Sequence, residues 1–288
     1  MCLVAFAINA SARWPLVIAA NRDESYERPT LPLQRWESPS GQIIISGKDL
    51  RAGGTWMGVT PDGRAAFLTN VRENLLSRTP EPSSRGELVT RWLDGDQTAQ
   101  EFMSAVDPEE YGGFNLVLCD WRTKAWTWLG NRHQNTSTEA PGKAGWVYRN
   151  LTDGVYGLSN AALDTPWPKT RALKAALNQA LQGAASGESS ARMENRLWQA
   201  LASRQQAAPE LLPNTGVPAA WEKTLSSAFV HAPDRAYGTR CSTLLIAESG
   251  TGADDEQLVV RMQEKTFPGN SETNSPALAL TQTLSWPA

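Results

Sequence analysis

The chain is poor in the residues that build metal centres and covalent staples. Its 288 residues include three cysteines and two histidines. Cys2, Cys119 and Cys241 are odd in number and far apart, which argues against a disulfide framework and fits a reducing compartment. No two of them have the spacing of a zinc finger. His133 and His231 stand beside loop residues without an acidic cluster, so a histidine-built metal site or a Ser–His–Asp triad has little support. No apolar run reaches the length needed to span a bilayer. The first residues lack a basic segment, and Asn9, Ser11, Arg13 and Pro15 interrupt the apolar stretch, unlike a secretory signal. A cytosolic protein is expected. The net charge of −3 provides no basic field for nucleic acid or anionic membrane. A phosphate loop, a dinucleotide fingerprint, internal repeats and low-complexity blocks are all absent.

What is present is an ordinary globular composition, 41% hydrophobic and 20% charged, on a chain long enough to bury a large core. Twelve tryptophans are rich for this length and serve the core, its rim or an apolar ligand pocket. No composition shift marks a boundary, so residues 1–288 are expected to form one domain, with 270–276 a tail-like loop.

The chain is organised around its first two dozen residues. Two short runs, Leu3 to Ile8 and Leu16 to Ala20, are apolar at odd and even positions alike, the signature of strands covered on both faces. The polar segment Asn9 to Arg13 joins them into an antiparallel hairpin. A turn centred between Ser11 and Ala12 sets Cys2 opposite Asn21; one residue later sets it opposite Asp23. Either register brings a thiol at the chain start to the polar cluster Asn21, Arg22, Asp23, Glu24. Removal of Met1 would leave an α-amine with a pKa near ~7.7–8.0 beside a thiol near ~8.5. That amine can serve as base to the nucleophile of its own residue, with Arg22 favouring the thiolate and Asp23 holding the ammonium. The plainer reading makes Cys2 a small buried hydrophobe.

Further along, Pro29 to Pro39 reads as irregular and Ile43–Ser46 as a strand. Trp56–Asn70 reads as a hairpin around the turn Pro61-Asp62-Gly63. Ser84 with Glu87, and Thr98 with Glu101, match capping boxes. Phe114–Cys119 and Lys124–Leu129 form a third hairpin, and His133 to Gly145 a loop. Trp146–Arg149 and Val155–Ser159 read as strands. Thr165-Pro166 opens a helix with a Leu173, Leu177, Leu181 stripe, and a second carries Met193, Leu197 and Leu201. Pro209 to Pro218 is a loop. Leu225–Val230, Thr239–Ala247, Leu258–Met262 and Leu278–Leu284 read as strands, with an acidic turn from Gly250 to Glu256. Hairpins outnumber crossovers, so the expected class is α+β, antiparallel sheets with helices outside.

Asn70 and Asn160 each end an expected strand, where an amide N–H can donate to an oxyanion or merely shape a turn. Arg240, inside the neutral strand Gly238–Ile246, faces solvent or a pocket where it binds a carboxylate or steadies a nucleophile. Its neighbour Cys241 faces the other way and reads as core, as does Cys119.

Met1-Cys2-Leu3, Asn21-Arg22-Asp23-Glu24, the run Gly157 to Lys169 (GLSNAALDTPWPK) and Gly238-Thr-Arg240-Cys-Ser-Thr243 together resemble the NRDE family, that of transport and Golgi organisation protein 2. The resemblance implies an N-terminal-nucleophile hydrolase fold, a four-layer αββα sandwich similar in plan to choloylglycine hydrolases and penicillin acylases. In those enzymes an N-terminal cysteine attacks an amide, supported by an Asp, two Asn and two Arg. Matched by motif, Cys2, Asp23, Asn160, Arg240 and Asn70 take those roles. Here the first Arg directly precedes the Asp, whereas the acylases place it several residues earlier. Strand alternation then turns Arg22 from the thiol, leaving Asn21 or Glu24 in that place. The family's association with secretion, haem mobilisation and lipid handling implies a second function: binding haem, with Cys2 or a histidine as axial ligand, or an acyl-coenzyme A. Fold alone does not decide between them.

Overall fold

In the computed structural model, residues 2–72, 83–132, 140–141, 145–185, 187–250, 257–268 and 276–287 are described. In chain order the elements are β1 (Cys2–Ile8), β2 (Leu16–Ser25), β3 (Thr30–Glu37), β4 (Ile43–Asp49), β5 (Met57–Val59) and β6 (Arg64–Asn70). Helices α1 (Gly86–Asp94) and α2 (Ala99–Ala105) follow. Then come β7 (Phe114–Asp120), β8 (Ala125–Gly130), β9 (Ala140–Pro141), β10 (Val147–Asn150) and β11 (Gly154–Leu158). After α3 (Pro168–Ala185), α4 (Ser190–Leu201) and α5 (Ala219–Thr224) the chain ends with β12 (His231–Ala232), β13 (Tyr237–Ser249), β14 (Gln257–Thr266) and β15 (Leu278–Pro287).

The strands make two antiparallel sheets. One runs β11-β1-β2-β13-β14-β15, with β12 on β13; the other runs β3-β4-β5-β6-β7-β8-β10-β9. Alternation along β1 explains the layering. Val4, Phe6 and Ile8 pack with Phe67, Val117 and Trp128 of the second sheet. Leu3, Ala5 and Ala7 pack instead with Leu173, Leu177 and Leu197 of α3 and α4. The outer face of the second sheet is covered by Leu88, Trp92 and Phe102 of α1 and α2. The result is a four-layer αββα sandwich, in which β1 and β2 are buried on both faces because each face meets a different layer. Phe6 anchors the middle layer, 5.1 Å edge-on from Phe67 and 5.2 Å from the Tyr156 ring.

Several expectations are corrected. Cys2 pairs with Arg22, not with Asn21 or Asp23, because the connecting loop spans 9–15, closed by the Asn9 N–H on the Pro15 carbonyl, and the hairpin centres on Ala12. The stretch Pro29 to Pro39 contains β3 at the edge of its sheet, where a bulge between Leu31 and Gln34 absorbs Pro32. Arg85 caps α1 and the Ser84–Glu87 box does not form, since Glu87 accepts from the Tyr111 hydroxyl instead. The box of Thr98 and Glu101 does form. The second long helix region opens at Pro168, after a turn in which the Trp167 N–H reaches the Thr165 carbonyl. Leu225–Val230 is not a strand: the Ser226 and Ser227 hydroxyls bind the Lys223 and Phe229 carbonyls and hold a turn. α5 arises where the sequence shows only the end of a loop. Most of 133–145, 250–256 and 270–276 lies outside the described residues.

Candidate active site

β2 ends in Asn21, Arg22, Asp23 and Glu24, and alternation sends these four to two different layers. Arg22 and Glu24 follow Ile18 and Ala20 towards the inter-sheet core; Asn21 and Asp23 follow Val17 and Ala19 towards the helices. Cys2 shares the inner face with Arg22, its cross-strand partner, so their Cβ atoms are about 5 Å apart. On the other side of β2, Arg22 pairs with Cys241. Two thiols therefore flank one guanidinium, and with β2 between them their backbones are about 10 Å apart, too far for a disulfide.

Cys2 lies in the wall of a cavity of about 260 Å³ whose other described lining includes Arg22, Asp23, Glu24, Trp56 and Asn70. A second cavity of about 230 Å³ adjoins it through shared walls at Arg22, Thr30, Gly47 and Trp56, and is lined further by Arg240, Cys241, Glu264 and Phe267. Arg22 stands between the two. Its side chain is 8% exposed, Nη2 lies 3.8 Å from Glu24, and Nη1 makes no hydrogen bond among the described residues. Adjacency to Asp23 therefore does not remove Arg22 from the thiol's side. Asp23, by contrast, carries its Thr239 hydrogen bond behind the sheet.

Burial pushes the Cys2 thiol above its ordinary range, Asp23 pushes the same way, and Arg22 opposes it. Asp23 is also raised by burial, against the nearby charge of Lys169. Its Oδ1 accepts from the Thr239 hydroxyl at 2.7 Å and its carbonyl from the Tyr237 hydroxyl at 3.0 Å. That first bond depends on a β-bulge: Thr239 opposes Asp23 while Cys241 opposes Arg22, so Arg240 is the extra residue and Thr239 is turned to the Asp23 side.

The structure places the other sequence candidates as follows. Asn21, fully buried, donates to the Leu201 and Ala228 carbonyls at 2.9 and 2.8 Å and accepts from Ser242 at 2.6 Å. It clamps the helical layer and does not line the cavity. Glu24 lines the cavity and accepts from the Ser25 N–H. Asn160 donates to the Asn70 carbonyl at 2.9 Å, while Asn70 lines the cavity. The Ser159 hydroxyl ties this pair to the nucleophile strand, donating to the Cys2 carbonyl at 3.1 Å and reaching Asn160 Oδ1 at 3.2 Å. Arg240 stands apart from the Cys2 cavity. Its Nη1 gathers the carbonyls of Ser25, Tyr26 and Arg28 at 2.7, 3.1 and 3.2 Å, fixing the β2–β3 turn.

Three residues escape a reading of the sequence. Lys169, in the first turn of α3, is 5% exposed, and its Nζ makes no hydrogen bond among the described residues. Burial pulls its ammonium down to about 8, with Asp23 opposing that shift. Arg72 forms a buried ion pair with Glu222 of α5, and its backbone N–H donates to the Asn160 carbonyl at 2.8 Å. Lys169 closes the run Gly157 to Lys169, which is the one signal that pointed to it; nothing local to Arg72 or Glu222 announces their pairing. Among the described residues no group of three or more His, Cys, Asp or Glu could hold a metal ion, and no helix is long and apolar enough to cross a membrane.

Comparison with known proteins shows the family. The family model for Transport and Golgi organisation 2 matches residues 1–258. The Bos taurus Transport and Golgi organization protein 2 homolog is 30% identical over 268 residues, covering 86% of this chain and 89% of its own. The Mus musculus homolog is 34% identical over 181 residues, 59% of this chain and 60% of its own. Among solved structures, a Caenorhabditis elegans ortholog of N-acylethanolamine-hydrolyzing acid amidase is similar at a TM-score of 0.46 and 11% identity, covering 85% of this chain and 92% of that one. A Cys2→Ala mutant of the conjugated bile acid hydrolase from Clostridium perfringens gives 0.42 and 10%, covering 98% and 96%. On the match to the family model and to the bovine relative, the chain belongs to the Transport and Golgi organisation 2 family.

Proposed function

We propose that Cys2, once Met1 is removed, carries out acyl transfer from, or hydrolysis of, a small amide or thioester. The observation that supports this most is the thiol's place in the wall of a polar cavity, with Arg22, Asp23, Glu24 and Asn70 around it. A thiol raised by burial holds its proton at neutral pH, so it needs a base at the moment of attack, and the α-amine of the same residue is the nearest candidate. In the first step the amine takes the thiol proton as sulfur bonds to the carbonyl carbon. The amide C–N or thioester C–S bond then breaks, and the leaving group takes the proton from the ammonium. Water attacks the acyl-enzyme, the amine accepts its proton, and the acid departs as the thiol is restored. Asn70 is the candidate donor to the oxyanion, positioned through its carbonyl by Asn160. Arg240 acts through the turn that it holds.

The test is covalent. Trimmed protein incubated with acyl amides and thioesters is expected to gain an acyl mass on the peptide carrying Cys2, absent from Cys2→Ala. A Cys2 that iodoacetamide alkylates while no substrate acylates it would overturn the reading.

A second reading, non-catalytic carriage of an acyl-coenzyme A or related lipid, is favoured by one observation. Arg22, whose buried Nη1 makes no hydrogen bond among the described residues, lines both the polar cavity and a more apolar one that also includes Trp56, Leu31 and Phe267, which suits a slender acyl chain with an anionic head. Calorimetry with Cys2→Ala and Arg22→Met separates the readings: carriage survives the first substitution and not the second. Haem fits less well. Neither cavity is lined by a described histidine, which leaves a thiol such as Cys2 as the axial ligand.

A further inference from the structure

Lys169 is the buried group that the mechanism above leaves without a task. It sits in the first turn of an 18-residue helix, at the end where the helix dipole disfavours a cation. It is almost fully buried, which disfavours the charge again. Its Nζ finds no hydrogen-bond acceptor among the described residues. Three unfavourable circumstances coincide on one ammonium.

The titratable groups that act on it come from several elements. Asp23 of β2 is the carboxylate whose charge acts on it most, and Cys2 of β1, Arg72 beyond β6 and Glu222 of α5 are also within electrostatic reach. Arg72 and Glu222 are engaged with each other. Tyr237 of β13 lies against Asp23, with its phenol held well above its ordinary range by burial. The anion left to compensate Lys169 is Asp23. Yet Asp23 has a second claimant. Cys2 stands across from Arg22, the residue before Asp23, and the Asp23 charge acts on the Cys2 thiol, so the α-amine of a chain that begins at Cys2 lies beside the same carboxylate.

We propose that Lys169 is a positioning residue which shares Asp23 with the α-amine of trimmed Cys2, and so keeps that amine unprotonated and able to act as a base near neutral pH. The inference rests on the reading of Cys2 as an N-terminal nucleophile. Two ammonium groups on one buried carboxylate repel each other, so the pair gives up a proton more readily than either alone. With Lys169 neutralised, Asp23 would hold the amine as an ammonium, which cannot accept the thiol proton.

The experiment follows the amine itself. Met1-trimmed protein labelled with [15N]cysteine carries one amine nitrogen among its cysteines, and its 15N shift is titrated with pH. Lys169→Met is expected to raise the midpoint by about one pH unit or more, as removal of a close like charge does, while Lys169→Arg leaves it near wild type. Asp23→Asn, which leaves both cations uncompensated, is expected to move it the opposite way. This second variant decides the matter if Lys169→Met fails to fold. A midpoint unchanged in Lys169→Met, or in Asp23→Asn where the first cannot be made, refutes the proposal. Turnover is not needed: a Lys169-dependent midpoint in a protein that never acylates Cys2 sustains this inference and removes the catalytic one. Where turnover exists, the acid limb of kcat/KM should shift with the amine.

Discussion

Glu222→Gln tests whether the polar network behind the nucleophile is under the tension that its burial implies. Arg72 and Glu222 are 5% and 3% exposed, and Arg72 Nε makes no hydrogen bond among the described residues. The substitution preserves the shape of Glu222 and the amide oxygen that can accept from the Thr215 N–H, now 3.0 Å away. It removes the charge that does most to compensate the guanidinium. Breaking a buried pair from one side costs about 3–5 kcal/mol, whereas replacing both partners by apolar groups of similar volume is near neutral. At roughly 2–4 °C per kcal/mol for a chain of this size class, Tm should fall by about 6 °C or more. Arg72→Met/Glu222→Met should recover most of that loss. Urea and thermal unfolding at pH 7 of the wild type, Arg72→Met, Glu222→Met and the double provide the cycle, with Glu222→Gln measured alongside. A Glu222→Gln protein within about 0.5 kcal/mol of wild type, in the range of ordinary surface substitutions, refutes the reasoning, as does a double variant no more stable than its worse single.

Other consequences can be checked alongside. Asn21→Ala orphans the Leu201 and Ala228 carbonyls and the Ser242 hydroxyl, and at ~1–3 kcal/mol per buried unsatisfied group should cost about 3 kcal/mol or more in urea unfolding, without placing any new group in the Cys2 cavity. Arg22→Met removes the cation that favours the Cys2 thiolate, so iodoacetamide should alkylate Cys2 more slowly at pH 8; an unchanged rate would separate Arg22 from the thiol. Glu264 is raised by burial, despite the Leu33 N–H it accepts at 2.8 Å. A carboxyl raised in the folded state contributes stability that is present below its unfolded pKa and lost as pH rises through its folded one. Glu264→Gln should therefore be more stable than wild type at pH 8, with the gap closing as pH falls from the raised folded pKa towards the ordinary glutamate value, and urea midpoints across pH 4–8 would show a constant gap if the idea is wrong.

The layers were legible in the sequence wherever alternation carried the information. Leu3 to Ile8 and Leu16 to Ala20 announce strands buried on both faces, and the leucine stripe from Leu173 marks the face of α3 that covers β1. What alternation cannot supply is the phase. The hairpin could be centred half a residue to either side of Ala12, and that shift decides whether Cys2 meets Asn21, Arg22 or Asp23. Leu225–Val230 has strand-like composition, but hydroxyl bonds to nearby carbonyls outweigh propensity there. Pro32 suggested irregularity because a bulge at a sheet edge is invisible until the edge is known. Arg72 and Glu222 are 150 residues apart, and no local pattern encodes such a pair.

The phase also explains why four consecutive polar residues can end a strand buried on both sides. Sharing a face with Cys2, Arg22 and Glu24 meet the cavity between the sheets, while Asn21 and Asp23 are delivered to the helical layer, where Asn21 ties down the ends of α4 and the turn beyond α5. Asp23 alone has a stake in both, since it lines the cavity and answers to Lys169 from behind the sheet. Moving the register by one residue would exchange these roles: a guanidinium would face the Leu201 and Ala228 carbonyls, and an amide would stand beside the thiol. The bulge at Arg240 fixes the same phase from the other side of β2, because only with that extra residue does Thr239 meet Asp23 while Cys241 meets Arg22. Deleting the extra residue should therefore disturb Asp23 and Lys169 before it disturbs the sheet.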